Sequence, residues 1–381
     1  MVGTGVSAAH GILIKGGAQL QKASEIHTIL FDKTGTLTNG RPVISDVQMV
    51  GTDVDVNVNV NVGADGGTGE QHSEADILWR LGCLERNSEH PLAEAVVNYA
   101  KQHCPDRAWV DPTDFVATTG QGVTGKIAGV RISLGNRTFL KAQNVPITAA
   151  TETALVDLER QGKTAVIAEL AGTAVAVLGI SDEIKPDAAA ALRYLQQKLH
   201  VEVWIVTGDN RRTATAVAKQ LDISMDYVIA EALPAGKLQK VKELQNEGKV
   251  VAMIGDGIND SPALAQADLG ISVGRGADIA AEAADIVLMK GNVSDVCVAI
   301  DVSKVIFRRI RLNLFWSMVY NCCGIPVAAG VFYAQTEVRL RPEVAAIAMA
   351  FSSISVVLSS LALKLYRPPE VVKKTPKQQT V

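Results

Sequence analysis

Three strings of residues carry chemistry in this sequence, and each follows a short apolar run. The first is Asp32-Lys33-Thr34-Gly35-Thr36-Leu37-Thr38, directly after Ile29-Leu30-Phe31. A buried strand that ends in a carboxylate delivers it to the carboxyl edge of a sheet, where open α/β sheets place their ligands. Asp32 can there attack phosphorus, since aspartyl-phosphate is a recognised covalent intermediate. Lys33 can offset charge on the transferring group, and the Gly-Thr turn lets backbone groups approach it closely. The second string is Thr207-Gly208-Asp209 after the run 201–206, and the third is Gly255-Asp256-Gly257-Ile258-Asn259-Asp260 after 250–254. A helix expected over 234–246 carries Lys237 near its start. Asp32 and Asp256 offer the oxygen ligands that Mg²⁺ prefers. Lys237 would neutralise phosphoryl charge, and Thr207 and Asn259 would hydrogen-bond its oxygens. Gly208, Asp209 and Asp260 complete this catalytic set. In-line phosphoryl transfer needs such positioning and charge stabilisation more than acid–base work.

The elements that must position these groups alternate as strand and helix. A helix is expected over 211–221, and Asp182-Glu183-Ile184-Lys185-Pro186 leads into another. Alternating units of this kind make a parallel, doubly wound sheet. Residues 28–45 and 179–300 are assigned to this domain. Between its two parts, 46–178 reads as an inserted α+β domain, with helices over 75–83 and 91–102 and strands over 164–169 and 173–179. Its local signals are His90 before a helix in Ser88-Glu89-His90-Pro91-Leu92 and the turn Thr119-Gly120-Gln121-Gly122. The Gly120–Gly122 turn lets backbone pass close to a nucleotide, although such a turn alone is weak evidence.

The chain has 381 residues, enough for two soluble domains plus membrane elements. Its 37 basic and 40 acidic residues leave a net charge of -3, which argues against a nucleic-acid partner. Five cysteines (Cys83, Cys104, Cys297, Cys322 and Cys323) form no CxxC pair or disulfide framework, as in a reducing cytosol. Residues 1–20 carry no cleavable signal pattern. A Val/Asn alternation in 53–63, with a Gly-rich tail to 69, reads as a mobile low-complexity loop within an insertion spanning 53–70. Thr68-Gly69-Glu70 in that tail reads as a chance tripeptide.

After a helix from 294 to 311, residues 312–336 and 344–363 lack charge and are each long enough to cross a bilayer, which needs about 20 residues. Basic residues before the first (Arg308, Arg309, Arg311) and after the second (Lys364, Arg367, Lys373, Lys374) place both ends in the cytoplasm. The first run holds Tyr320 and Asn321. The second holds Met349 and Ser353 one helical turn apart, and a thioether is a soft ligand that selects Cu(I) over hard cations. Cys322 and Cys323 read as packing residues. The tail, 364–381, is polar and expected to be disordered.

The string DKTGTLT resembles the phosphorylation signature of the P-type ATPases, cation pumps built on a haloacid-dehalogenase-like domain. The TGDN and GDGIND strings agree with it, and SEHPL resembles the motif of heavy-metal pumps. This resemblance implies ATP, oriented by His90 and met at its adenine by Glu85, with Gly120, Gly122 and Asn136 completing the nucleotide set. It also implies the Thr34 carbonyl as a further Mg²⁺ ligand. Tyr320-Asn321 and Met349-xxx-Ser353 resemble the copper(I)-exporting group, which would make Tyr320, Asn321, Met349 and Ser353 the copper ligands. The implied whole is the catalytic C-terminal portion of a copper(I) pump in the Golgi or plasma membrane. Residues 1–27 would be a connector from an earlier membrane helix. The CPC-bearing helix, the actuator domain and the N-terminal domains that would meet a copper chaperone lie outside it, so transport by this chain alone is not expected. Two other readings are a membrane-anchored phosphatase of the same fold and a non-catalytic fragment that associates with a full-length pump.

Overall fold

The computed structural model describes residues 2–50, 58–59, 71–88, 91–118, 120–257, 260–274, 282–329, 331 and 342–371. The chain divides into two compact units, one formed by 1–30, 186–203 and 238–381 and the other by 31–185 and 204–237.

A seven-stranded sheet supplies the strand ends that the chemistry needs. Its strands are β1 (Ile12–Ile14), β2 (Thr28–Asp32), β11 (Glu202–Val206), β12 (Val228–Ile229), β13 (Val251–Gly255), β14 (Leu269–Val273) and β15 (Ile286–Leu288), in the order β1-β15-β14-β13-β2-β11-β12. β13, β14 and β15 run parallel, β11 and β12 run parallel, and β1 closes one edge antiparallel to β15. All five residues of β2, β13 and β14 are buried. Parallel strands covered on both faces read as continuous apolar runs, which is why these segments do not alternate in polarity. This sheet has the doubly wound character expected of a haloacid-dehalogenase-like domain.

The second unit carries a six-stranded antiparallel sheet with the order β3-β10-β9-β8-β7-β6. Its strands are β3 (Val43–Met49), β6 (Thr113–Thr118), β7 (Gly122–Ile127), β8 (Val130–Gly135), β9 (Thr164–Leu170) and β10 (Thr173–Ser181). Helices α3 (Glu74–Glu85) and α4 (Pro91–His103) form one core with it, built on Ile77, Leu81, Leu84, Val96, Ile132 and Leu178. Helices α5 (Arg137–Ala142) and α6 (Ala149–Arg160) form a second core, built on Phe139, Leu140, Leu155, Leu158, Ile167 and Val177. Odd and even residues of β9 thus enter opposite cores, as the period of two in a strand requires, whereas in β10 the alternation slips at Val175–Ala176, where the register with β9 shifts. The result is the α+β domain expected between the halves of the parallel one. The alternating Val/Asn run contributes strand β4 (Val58–Asn59), which pairs with β5 (Gln71–His72).

Helix starts are capped by the residue types that accept from exposed amides. Ser73 accepts from Asp76 N, Thr148 from Thr151 N, and Asn210 from both Arg212 N and Thr213 N at the start of α8 (Arg211–Leu221). Arg80 on α3 donates to Asp76 Oδ2 at 2.8 Å and to the Ile127 carbonyl at 2.6 Å, tying this helix to the end of β7.

In the first unit the helix expected to end near 311 continues as one 35-residue helix, α11 (Ser294–Ala328), and the second apolar run lies on α12 (Pro342–Leu361). Among the described residues no helix is long and apolar enough to cross a membrane; of the spans expected at 312–336 and 344–363, residues 330 and 332–336 lie outside the described ones. The first half of α11 carries Asp295, Asp301, Lys304, Arg308, Arg309 and Arg311, and its uncharged portion stops at Ala328 after Pro326. Helix α12 opens with Glu343 and carries Ser352, Ser353, Ser355, Ser359 and Ser360. The two helices meet through polar groups: Asn313 Nδ2 donates to Ser360 Oγ at 3.2 Å, and Ser359 Oγ donates to Asn313 Oδ1 at 2.7 Å. Tyr366, in the stretch expected to be disordered, donates its hydroxyl to Asp301 at 2.7 Å.

Gly82 tests the α3–α4 packing. A Cβ there would lie 2.5 Å from Ala100 Cβ and 2.8 Å from the Trp109 ring. Helix propensity favours Gly82→Ala by about 1 kcal/mol, but overpacking a core costs about 1–3 kcal/mol. The expected outcome is a lowered urea midpoint for the variant; an unchanged or raised midpoint would show that α3 and α4 are not in close contact.

Candidate active site

Strand β2 carries Asp32 into a buried position, 5% exposed, where Lys237 Nζ donates to its Oδ1 at 2.5 Å. Lys237 is itself buried and lies in the first turn of α9 (Pro234–Asn246). A second buried ion pair stands beside it in sequence, Lys33 Nζ with Asp209 Oδ2. The charge that Lys33 was expected to lend a transferring group is therefore matched by Asp209, and Lys237 is the cation on the carboxylate itself. Burial pushes the Asp209 carboxyl up. The Lys33 charge, with hydrogen bonds from Lys33, Thr164 and Thr207, outweighs it and holds the group below the usual carboxylate range. Thr207 Oγ1 donates to Asp209 Oδ2 at 3.1 Å and accepts from Asp209 N at 3.1 Å.

The loop after Asp32 is a tight turn rather than a helix. Thr34 (φ -73°, ψ 129°) and Gly35 (φ 70°, ψ -14°) have type II turn geometry, which requires positive φ at the second central position. Gly35 N donates to Thr38 Oγ1 at 3.1 Å, and Thr38 Oγ1 lies 2.5 Å from Asp182 Oδ2. Lys185 Nζ donates to the carbonyls of Gly35 (3.2 Å) and Thr36 (2.8 Å). Asp182 and Lys185 thus hold the loop, a role that sequence reasoning did not assign; the signal was the Asp182–Pro186 string, read only as a lead into a helix.

Asp256 and Asp260 belong to the first unit, after β13. Asp256 is half-buried and Asp260 fully buried, with its carboxylate against Gly255, where a Cβ would lie 2.6 Å from Asp260 Oδ2. Asn259 lies outside the described residues, as does His90. Among the described residues, no group of three or more His, Cys, Asp or Glu side chains is placed to hold a metal ion.

Gly120, Gly122 and Asn136 come together at the end of β7 and β8. Gly120 has φ 70°. At Gly122 a Cβ would lie 2.5 Å from the Leu134 carbonyl oxygen, so only glycine lets these strands approach here. Asn136 N donates to the Gln121 carbonyl at 2.8 Å and its Nδ2 to the Gly120 carbonyl at 3.2 Å, while its Oδ1 accepts from Phe139 N at 2.9 Å and caps α5. Glu85 ends α3. It is 7% exposed, and its Oε2 has no hydrogen-bond partner among the described residues. Burial pushes its carboxyl up to about 7 against a smaller opposing pull from a Ser88 hydrogen bond. Glu169 and Asp295 share this state, a buried carboxylate oxygen without a hydrogen-bond partner among the described residues.

The four residues expected to meet copper lie on two helices, Tyr320 and Asn321 on α11 and Met349 and Ser353 on α12. Met349 is exposed, and Ser353 Oγ donates to its carbonyl at 3.3 Å.

With this geometry in hand, the chain can be compared with known proteins. The haloacid dehalogenase-like hydrolase family matches residues 26–268. The probable copper-transporting ATPase HMA5 of Arabidopsis thaliana is 46% identical over 373 residues, covering 97% of this chain and 35% of that protein. This chain therefore spans about a third of the length of that relative. Among solved structures, a zinc-transporting PIB-type ATPase in the E2.Pi state is 29% identical with a TM-score of 0.63, covering 95% of this chain and 54% of that one. The catalytic domain of the CPx-ATPase CopB-B, solved in work on conformational changes upon nucleotide binding, is 25% identical with a TM-score of 0.57, covering 78% and 96%.

Glu85 yields a pH prediction. Its folded-state value of about 7 lies above the ordinary 4.5, so the unfolded chain gives up this proton first as pH rises. Stability contributed by the neutral form is complete below about 4.5, is lost between about 4.5 and 7, and stays lost above that. Glu85→Gln should raise stability at pH 8 by up to about 3 kcal/mol, shrinking toward zero near pH 4 in urea titrations of both proteins. Equal stability at pH 8 would mean that the carboxylate is solvated.

Proposed function

Because this chain belongs to the haloacid dehalogenase-like hydrolases, in the branch that contains the heavy-metal P-type ATPases, we propose that it carries their phosphoryl-transfer step, with Asp32 accepting the γ-phosphoryl group of ATP. The observation that carries this reading is the buried Asp32–Lys237 pair at the end of β2, flanked by the Lys33–Asp209 pair. A carboxylate oxygen of Asp32 attacks the γ-phosphorus, the bond to the ADP oxygen breaks, and the electron pair leaves with ADP. Negative charge then spreads over the phosphoryl oxygens, within reach of the ammonium of Lys237, which stabilises it without reorganisation. The Gly35 turn, held by Asp182 and Lys185, fixes the backbone against which those oxygens lie. Asp32, Asp256 and the Thr34 carbonyl are all oxygen donors, the kind that Mg²⁺ takes, and the ion would supply further charge neutralisation. Asn259 and Thr207 are assigned to the phosphoryl oxygens, with Gly208, Asp209 and Asp260 shaping the same loops.

Glu85, Gly120, Gly122 and Asn136, with His90 by resemblance, are assigned to the nucleotide. Their presence supports ATP over a small phosphoester as donor, and therefore a pump over a phosphatase of the same fold. For the transported ion we propose Cu(I), moved out of the cytosol: Met349 offers a soft thioether, and the relative in Arabidopsis thaliana is named for copper. Both helices present large apolar side chains outward, Leu314, Phe315, Trp316 and Met318 on α11 and Ile347, Phe351, Ile354 and Leu358 on α12. Exposed apolar surface on this scale supports membrane association.

Incubating the full chain with Mg²⁺ and γ-labelled ATP should give an acid-stable, hydroxylamine-sensitive phosphoprotein that Asp32→Asn abolishes. Absence of label in the wild type, or label that survives Asp32→Asn, would overturn the assignment.

A further inference from the structure

Glu159 lies on α6 with no exposed side-chain surface, an unusual position for a carboxylate outside a described site. Three side chains from two distant segments donate to it. Arg137 binds it in a two-pronged contact, through Nη1 to Oε1 and Nη2 to Oε2 at 3.0 Å. Asn210 Nδ2 donates to Oε1 at 2.7 Å and Arg212 Nη1 to Oε2 at 3.1 Å. Two turns earlier on α6, Glu152 takes Arg137 Nε at 2.9 Å and lies 3.7 Å from Arg212, so two carboxylates balance two guanidinium groups. Burial disfavours the Arg137 charge, but Glu159 and Glu152 more than offset it and raise the group above its ordinary value.

The sequence neighbours of these donors give the cluster its meaning. Arg137 follows Asn136, which hydrogen-bonds the Gly120–Gln121 turn. Asn210 follows Asp209, which pairs with Lys33 and accepts from Thr207. Thr164 Oγ1 donates to Asp209 at 3.0 Å and Thr213 Oγ1 to the Lys163 carbonyl at 2.9 Å, so the same loop is held again from the segment just after α6. All of these residues belong to the second unit. A bidentate arginine fixes both distance and orientation, so Glu159 sets the relation between the nucleotide turn and the Thr207–Asp209 loop.

We propose that Glu159 is a positioning residue for phosphoryl transfer, aligning a nucleotide held at Gly120–Asn136 with the loop beside Asp32. This rests on the ATP reading above. It touches neither nucleotide nor phosphoryl group and acts through Arg137 and Asn210.

The test compares two phosphoryl donors on the full chain. ATP must be aligned by the nucleotide turn, whereas acetyl phosphate reaches Asp32 without it. In Glu159→Gln, labelling at saturating ATP should slow by on the order of 10- to 100-fold, the scale of losses from small misplacements, while labelling by acetyl phosphate stays within about twofold of wild type. Unchanged labelling by ATP, or equal loss with both donors, would overturn the role, the latter marking Glu159 as merely structural. Should Glu159→Gln fail to fold, Asn210→Ser keeps a capping hydroxyl on α8 and removes one donor to Glu159; the same donor-selective loss is expected. A wild-type chain that takes no label from ATP overturns both this role and the proposed function, whereas a labelled wild type with an indifferent Glu159→Gln overturns this role alone.

Discussion

The burial of four charges as two ion pairs, Asp32 with Lys237 and Lys33 with Asp209, is the constraint around which this structure is arranged. Taking a carboxylate and an ammonium out of water costs several kcal/mol per ion, and removing one partner of such a pair typically costs about 3–5 kcal/mol. The four residues come from three places in the chain, and each stands where a regular element begins or ends. Asp32 and Lys33 meet at the end of β2, Asp209 follows β11, and Lys237 opens α9. Strand ends and helix starts leave backbone groups unmatched, so they are also where an anionic ligand is most readily held. The parallel sheet fixes these ends, and its apolar strands stabilise the positions at which the charges are tolerated.

Much of this was legible in the sequence because its signals are local. A parallel strand buried on both faces is an unbroken apolar run, so Ile29–Phe31 announced itself, whereas 201–206 is interrupted by Glu202; the acidic residue after each marked its carboxyl end. Gly35 and Gly122 were legible for a related reason, since the turn at one and the close strand approach at the other exclude a side chain. The partners of these residues were not legible. Nothing local shows that Asp209 neutralises Lys33, or that Lys185 reaches back to two carbonyls about 150 residues earlier in the chain. Glu152 and Glu159 lie on a helix that the sequence reading did not single out, and only the fold brings Arg137 and Arg212 over them.

In the apolar runs near the C-terminus, charge and backbone set different bounds. Counting uncharged residues from 312 to 336 assumes that one helix contains them all, yet the helix ends at Ala328, where the Val331 amide turns back to the Pro326 carbonyl at 3.1 Å. Charge-free length measures what lipid would accept, whereas helix length is set by where the backbone hydrogen bonds stop. What joins α11 and α12 is polar, the Asn313–Ser359–Ser360 contacts, because apolar side chains turned outward leave helix pairs to be held by small and hydrogen-bonding residues.

The two charged clusters of the second unit share one rule of construction. In each, a member of the buried charge network stands next in sequence to a residue of a loop assigned to a ligand: Lys33 follows Asp32, Asn210 follows Asp209, and Arg137 follows Asn136. A side chain locked into a buried network cannot shift without its own backbone shifting, and that backbone is the ligand loop. The networks therefore convert the steep cost of separating buried charges into rigidity of the loops beside them. Arginine suits the Glu159 network and lysine the Asp32 site for the same reason. The guanidinium fork holds a fixed orientation between elements that must keep their register, whereas the ammonium of Lys237 is a point charge on a flexible stem that can follow charge from carboxylate to phosphoryl oxygen as the bond forms.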